Sequence, residues 1–350
     1  MAWVELKYSK KAVRKAGDRL SSKNIPSVRD LIESIQVLHN WRASHAYPIQ
    51  SMLVYFRSKA YSVDPNAVVV QRLKRTPSIL AKLTREHGMK LDRMEDVGGC
   101  RIVVANISQV YAVRDAIVEG RTRNTLRRQR DYIKKPKESG YRGIHLVYRY
   151  NGIKTAFKAH SVELQIRSKV QHAWATAVEV VGTFTGQALK ASQGQNEWLE
   201  FFKLASIAFA DIETRNLARN AKTPDRLELI SYINKLNVIP RLRAFAVSTN
   251  HLGKDKKHRN DYFLLTLEID KSNIQVRRYT PDEFDQATKD YAQKEKAFKN
   301  NSDKDVVLVA AESLHGLKKA YPNYFADTAE FSKNLERILE TNEKSQKEET

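Results

Sequence analysis

Four short apolar runs, each set between segments of helical spacing, constrain this chain more than any other feature. They fall at residues 68–74, 100–104, 144–150 and 161–167. Val68-Val69-Val70 and Ile102-Val103-Val104 are β-branched stretches that suit a pleated, half-buried ladder better than a helix. Between them Pro77 opens a helix that runs through Arg85 and ends near Gly88, and residues 109–119 read as another. The last two runs are joined by a turn around Asn151-Gly152 and read as an antiparallel pair. Residues 10–60 and 169–220 carry apolar side chains at helical spacing, Leu31, Ile32, Ile35 and Leu38 among them. Strands alternating with helices predict an α/β core, a mixed sheet flanked by helices, to about residue 190.

The pattern changes after Pro240. Residues 243–248, 262–269 and 274–279 alternate like strands, and Asp270-Lys271-Ser272-Asn273 reads as a hairpin turn. Pro281 opens a helix, and residues 306–309 form one more strand. These features predict a separate small α+β domain with an antiparallel sheet. The expected organisation is an N-terminal helical part (1–60), a catalytic domain (61–235), a C-terminal domain (236–342) and a frayed, charged tail (343–350).

No apolar run reaches the length of a membrane span, the opening residues do not read as a signal peptide, and there is a single cysteine, Cys100. A cytoplasmic protein without a disulfide, a structural metal or a membrane partner is expected. The charge is harder to pass over. Sixty-one basic residues face 40 acidic ones, a formal balance of +21. Eight of the seventeen residues from 121 to 137 are basic, with only Asp131 opposing them. Arg121, Arg123, Arg127, Arg128 and Arg130 lead this patch, which could neutralise several phosphates of a polynucleotide or simply solvate a surface.

The segment Asp131-Tyr132-Ile133-Lys134-Lys135-Pro136-Lys137-Glu138-Ser139-Gly140-Tyr141-Arg142-Gly143-Ile144-His145 combines cations, a turn, an aromatic face and a histidine. That is equipment for stacking a purine while neutralising its phosphates. Arg72 and Lys74 share one face of their strand, and Lys82 can approach that face from the next helix; three such cations suit a triphosphate, although each could be an ordinary surface charge. Asp96 precedes the second strand beside Gly98-Gly99, as a metal ligand or a turn former. Glu163 shares its strand face with Gln165 and Arg167, opposite Leu164 and Ile166. A carboxylate in that position wants a partner, and with Asp96 it makes a two-carboxylate Mg²⁺ site. His172, Trp174 and Glu179, on the following helix, read as structural support.

These motifs resemble the synthetase domain of the RelA/SpoT homologue family over roughly residues 55–190. Arg72-x-Lys74-x-x-x-Ser78-x-x-x-Lys82 resembles its ATP-binding element, and Asp96…Arg101 its first magnesium-binding region. The 131–145 segment is similar to its acceptor loop, and Glu163-x-Gln165-Ile166-Arg167 to its second acidic motif. The resemblance implies a nucleotidyltransferase-like fold and transfer of pyrophosphate from ATP to a ribose 3′-hydroxyl, leaving AMP. In that scheme Asp96 and Glu163 are catalytic and hold Mg²⁺, while Arg72, Lys74, Ser78, Lys82 and Arg101 bind ATP. Lys134, Lys137, Tyr141, Arg142, His145, Gln165 and Arg167 bind the acceptor, with Tyr141 stacked on its base. Val180 stands where many members place a histidine. No His-Asp dipeptide occurs, so the hydrolase domain of long members is not expected.

The layout of the C-terminal part, with Tyr321-Pro322-Asn323-Tyr324, resembles the CapRel-type fused toxin–antitoxins, a toxic branch of small synthetases. That resemblance implies modification of the tRNA 3′ CCA end in antiviral defence. It also implies autoinhibition by Tyr321 and Tyr324 until a phage protein, such as a capsid protein, binds. The basic stretch favours tRNA as acceptor; (p)ppGpp synthesis from GDP or GTP, with a regulatory C-terminal domain, is the alternative.

Overall fold

The computed structural model describes residues 3–22, 27–158, 160–184, 196–216, 220, 223–236, 238–239, 242, 261–268, 273–298, 304–310 and 328–347. Three helices, α1 (Lys10–Ser21), α2 (Val28–Ala43) and α3 (Ala46–Val63), lead into β1 (Val68–Leu73). Then come α4 (Thr76–Arg85), β2 (Gly98–Val104), α5 (Ile107–Val118), β3 (Thr125–Asp131), β4 (Ile144–Arg149) and β5 (Ser161–Ser168). Helices α6 (Lys169–Phe184), α7 (Asn196–Thr214) and α8 (Pro224–Lys235) follow. The C-terminal region contributes β6 (Tyr262–Glu268), β7 (Asn273–Tyr279), α9 (Phe284–Ala297), β8 (Lys304–Ala310) and α10 (Ala329–Lys347). Among the described residues no helix is long and apolar enough to cross a membrane.

Local chemistry explains the boundaries. Asn106 caps α5 by accepting from the Gln109 amide at 3.0 Å, and Ser9 and Ser27 cap α1 and α2 in the same way. The strands alternate two ways at once. Val69, Cys100, Ile102, Leu146, Leu164 and Ile166 face a core built with α3 and α5 (Phe56, Val113, Ile117). Val70 faces the opposite core, made by α6, α7, α8 and α10 with Trp174, Phe201, Phe202 and Phe331. A sheet covered on both faces needs strands that are apolar nearly throughout, as β2 is.

The strand order is β3-β4-β5-β2-β1-β8-β6-β7. β2 and β5 run parallel and the other neighbouring pairs among the described residues run antiparallel, so the sheet is mixed, as expected. Three features depart from the expectations. β3 lies inside the basic patch, where no strand was read. It pairs only with β4, so its polar side chains occupy an exposed sheet edge and leave no apolar alternation to see. The C-terminal strands do not form a sheet of their own. β8 pairs with β1 through Gln71↔Ala310 and Arg72↔Val309, extending the first sheet. Finally, helix α10 continues to Lys347 where a frayed tail was expected from residue 343. Phe331, Leu335, Ile338 and Asn342 recur at helical spacing and are all buried, which anchors it. The expected strand at 243–248, the turn at 270–272, Tyr321 and Tyr324 lie outside the described residues.

Because Phe331 is fully buried and touches Phe201, Phe202 and Phe209, Phe331→Ala should destabilise the whole fold by about 3–5 kcal/mol. Chemical denaturation followed by tryptophan fluorescence checks this. A loss below about 1 kcal/mol would mean that α10 is not part of the common core.

Candidate active site

The sheet face turned toward α6 and α7 carries the chemistry. Register places Arg72 beside Gly99, and Gly99 beside Glu163, across β1, β2 and β5. The same ladder sets Arg101 beside Gln165, and Gln165 beside His145, which in turn faces Arg130 on β3. Residues directly opposite one another point to one side. Gly99 is required where it stands. A Cβ there would lie 2.6 Å from the backbone oxygen of Glu163, so only glycine lets β2 approach β5 at that residue. Gly99 therefore serves strand contact, whereas a Cβ on Gly98 would run into the Ile49 side chain of α3.

A cavity of about 220 Å³ opens over this face, lined among others by Arg72, Lys74, Lys82, Asp96, Lys137 and Glu163. Asp96 sits in the turn before β2, and both its oxygens are engaged: Oδ2 by Lys74 Nζ and Oδ1 by Lys82 Nζ, each at 3.0 Å. Burial alone would push its carboxyl up, but the two lysines hold it below the usual carboxylate range. Glu163 is likewise saturated, with His145 Nδ1 at 2.9 Å from Oε1 and Gln165 Nε2 at 2.8 Å from Oε2. Burial opposes its ionisation, yet His145, Gln165 and Lys74 hold it well below the carboxylate range. Burial pushes the Lys74 and Lys137 ammonium groups down, against the pull of Asp96 and Glu163 respectively.

A hydrogen-bonded chain runs on from Glu163. Arg167 Nε donates to Tyr141 Oη at 3.1 Å, and Tyr141 Oη lies 2.5 Å from His145 Nε2. Because an ionised carboxylate can only accept, His145 Nδ1 is the nitrogen that donates to Glu163, and Nε2 is the one that meets the tyrosine hydroxyl. Lys137 Nζ lies 5.2 Å from the Tyr141 ring centre and 4.7 Å from that of Tyr132, and Arg167 lies 5.0 Å over Tyr141. A base stacking on Tyr141 must therefore displace a cation that already covers the ring. Behind the loop, Gly140 adopts φ +86° against α7, and its carbonyl accepts from Ser206 at 2.5 Å.

The structure gathers Arg72, Lys74, Lys82, Asp96, Lys137, Tyr141, His145, Glu163, Gln165 and Arg167 around one cavity. Arg101 lines a smaller adjoining one with Arg72, Lys74 and Asp96. Three predicted residues fall elsewhere. Ser78 is on α4 and lines neither cavity. Lys134 Nζ lies 5.9 Å over Tyr111, on the outer side of the loop. Arg142 turns away toward Gln171, Trp174 and Glu213, because its guanidinium donates back to the Ile133 carbonyl. The basic patch also divides: Arg130 lines the cavity, Arg128 pairs with Glu95 at 3.1 Å, and Arg121, Arg123 and Arg127 stay exposed.

Sequence reasoning missed the far wall. Trp174, Ala175 and Val178 from α6, and Leu199 and Phe202 from α7, close the cavity. Trp174 was read as mere support; its indole donates to the Phe202 carbonyl at 2.8 Å and its ring meets the edge of Tyr141. The α7 residues carry no local signal, since only the fold brings them there.

A mixed sheet that sets lysines and arginines around two ionised carboxylates is an arrangement suited to phosphate chemistry. Residues 71–181 match the family described as "Region found in RelA / SpoT proteins", and the chain is similar to that family over this span. The chain is 36% identical over 118 residues to GTP pyrophosphokinase YjbM of Bacillus subtilis (strain 168), covering 32% of this chain and 54% of that relative. It is 31% identical over 137 residues to GTP pyrophosphokinase of Escherichia coli (strain K12), covering 39% of this chain and 17% of that one. The chain thus spans about half the length of the first relative and less of the second. Among solved structures, small alarmone synthetase 1 from Bacillus subtilis bound to its product pppGpp aligns over 49% of this chain and 90% of that one. The identity there is 25% and the TM-score 0.41.

The two depressed carboxyls give a pH signature. A carboxylate whose folded pKa lies below its unfolded value, about 4.3 for glutamate, contributes stability above that value and loses it as pH falls. Wild type should therefore exceed Glu163→Gln in thermal stability at pH 6–7, with the gap closing as pH is lowered from about 5 to 3. Melting curves across that range check it; a gap that widens with acid would contradict the ionised assignment.

Proposed function

We propose that this chain is an ATP-dependent pyrophosphokinase whose acceptor is a guanine nucleotide, GDP or GTP. The observation that carries the reading is the single cavity in which Arg72, Lys74 and Lys82 surround Asp96 within reach of Glu163. The relatives' names, each a GTP pyrophosphokinase, support this acceptor over the tRNA end that the sequence alone favoured.

The donor set suits Mg²⁺: two hard carboxylates on one wall, with phosphate oxygens completing the coordination. Asp96 and Glu163 would hold the ion, which supplies charge neutralisation at the phosphates. The residues do the rest. Lys74 and Lys82 exchange the Asp96 oxygens for phosphate oxygens as ATP enters, and Arg72 and Arg101 supply guanidinium planes on the donor side. Tyr132 and Tyr141 offer rings to the acceptor base once Lys137 swings toward phosphate. The acceptor 3′-oxygen bonds to the ATP β-phosphorus, the bridging oxygen leaves with AMP, and the hydroxyl proton is released. Trp174 and Phe202 exclude water from the far wall, which limits hydrolysis of ATP.

γ-Labelled ATP tests this directly, because the label travels with the transferred pyrophosphate. Label should appear on GDP or GTP, with AMP released in equal amount. Asp96→Asn and Glu163→Gln should each lower the rate roughly a hundredfold or more. Near-wild-type rates in either variant would remove that carboxylate from the chemistry.

One observation favours tRNA as a second acceptor: Arg121, Arg123 and Arg127 stay exposed on β3 and the segment before it, the strand that carries Arg130 into the cavity. In this reading, reversing all three to Glu lowers label transfer to deacylated tRNA more than tenfold and leaves nucleotide labelling within about twofold. Equal effects on both acceptors would reduce the arginines to a solubilising edge.

A further inference from the structure

Helix α4 carries Lys82 and begins directly after Lys74, yet it has no side-chain cap of its own, because its N-cap position is Arg75. The missing acceptor comes from the C-terminal region, 219 residues away. Glu295 Oε1 on α9 accepts from the backbone amide of Thr76 at 2.9 Å. The same oxygen accepts from Tyr291 Oη at 2.8 Å. The Tyr291 ring in turn lies 4.6 Å beneath the Arg42 guanidinium, and Arg42 Nε donates to the Lys74 carbonyl at 2.7 Å. Arg42 is only 9% exposed and Tyr291 1%. Two ends of one bonded assembly thus grip the backbone on either side of Arg75.

This arrangement does more than pack two surfaces. The first amides of a helix have no partner within the helix, and a carboxylate there satisfies one and complements the helix dipole. Arg42 fixes the carbonyl of the residue whose ammonium holds Asp96. Next to the assembly lies a cavity of about 310 Å³, lined by Trp3, Ile49, Tyr262, Phe284 and by Arg42 and Tyr291 themselves. On that side the ties from α9 to the donor loop are the Glu295 bond to Thr76 and the Tyr291 ring under Arg42, which itself bonds Lys74.

We infer that Glu295, Tyr291 and Arg42 are positioning residues through which α9 sets the geometry of the ATP-side loop, residues 74–82. The C-terminal region thereby supports donor binding by direct contact. The inference rests on the pyrophosphokinase reading for its effect on ATP, and on the geometry alone for its effect on the loop.

The test uses the full chain. In Glu295→Ala, hydrogen–deuterium exchange of amides 76–82 should accelerate about tenfold, and KM for ATP should rise roughly five- to tenfold with kcat and acceptor KM within about twofold. Glu295→Gln keeps an acceptor oxygen and should restore both readouts to within about twofold of wild type. Tyr291→Phe keeps the ring under Arg42 and should give an intermediate exchange rate if Glu295→Ala folds poorly. Unchanged exchange in Glu295→Ala and Tyr291→Phe overturns the strut whatever the enzyme does, as does a Gln variant as fast-exchanging as Ala. Faster exchange with unchanged KM for ATP overturns its role in donor binding. A wild-type chain that transfers no label defeats the pyrophosphokinase reading instead, and the exchange result still decides the strut.

Discussion

Two ionised carboxylates placed against a covered sheet face set the terms for the rest of the molecule. A buried carboxylate left unpaired is too costly to keep, so each must be matched by donors at fixed positions. Asp96 is matched by Lys74, at the end of β1, and by Lys82, on α4. Glu163 is matched by His145 from β4 and by Gln165 two residues along β5. Those donors lie on four different elements. Only the order β4-β5-β2-β1, with β5 parallel to β2, brings them to one point. The site is thus a self-neutralised network. For the proposed triphosphate donor, binding would be an exchange in which each lysine leaves one anion for another.

Much of this was legible from residue order. β1, β2, β4 and β5 announced themselves because a sheet buried on both faces needs continuous apolar runs, and Val69 and Val70 entering opposite cores show why. Arg72, Lys74 and Glu163 could be placed because strand period 2 decides which side chains share a face, and Asp96 because it stands just before an apolar strand. What failed was whatever depends on contacts distant in sequence. β3 is held by the β4 ladder alone while its side chains face water, so nothing in its composition distinguishes it from a charged loop. Arg142 sits in the middle of the acceptor motif, but a loop that bends back on Ile133 sends it away from the cavity. Leu199 and Phe202 reach the site only because α7 folds across the sheet.

The C-terminal strands join the first sheet instead of closing one of their own, and the cause is physical. Alternating strands around a hairpin look self-sufficient in sequence, yet β8 offers its outer edge to β1, which would otherwise be exposed. Helix α10 then crosses to the other face and places Phe331, Leu335 and Ile338 among the aromatic residues of α6 and α7. Cutting the chain at residue 241 would therefore expose an edge strand and a core surface at once. Loss of folding would follow from such a truncation, whatever else it removed.

The distribution of charge, more than its total, bears on the acceptor. A net +21 suggests a polyanion partner only if the excess lies on one accessible surface. Within residues 121–137 the excess is dispersed by the fold. Arg130 turns into the cavity, Arg128 is tied to Glu95, Lys137 lies over two tyrosine rings, and Lys134 over a third. Four of the eight cations are thereby assigned to local partners. The remainder, chiefly Arg127 on β3 and Arg121 and Arg123 in the exposed segment before it, could be followed by a long phosphate backbone, but none of them lines the cavity that would take a single nucleotide. A guanine nucleotide needs only the cavity cations; a polynucleotide needs the edge as well. The two acceptors thus call on different arginines, so their salt dependences should differ in slope as well as in magnitude.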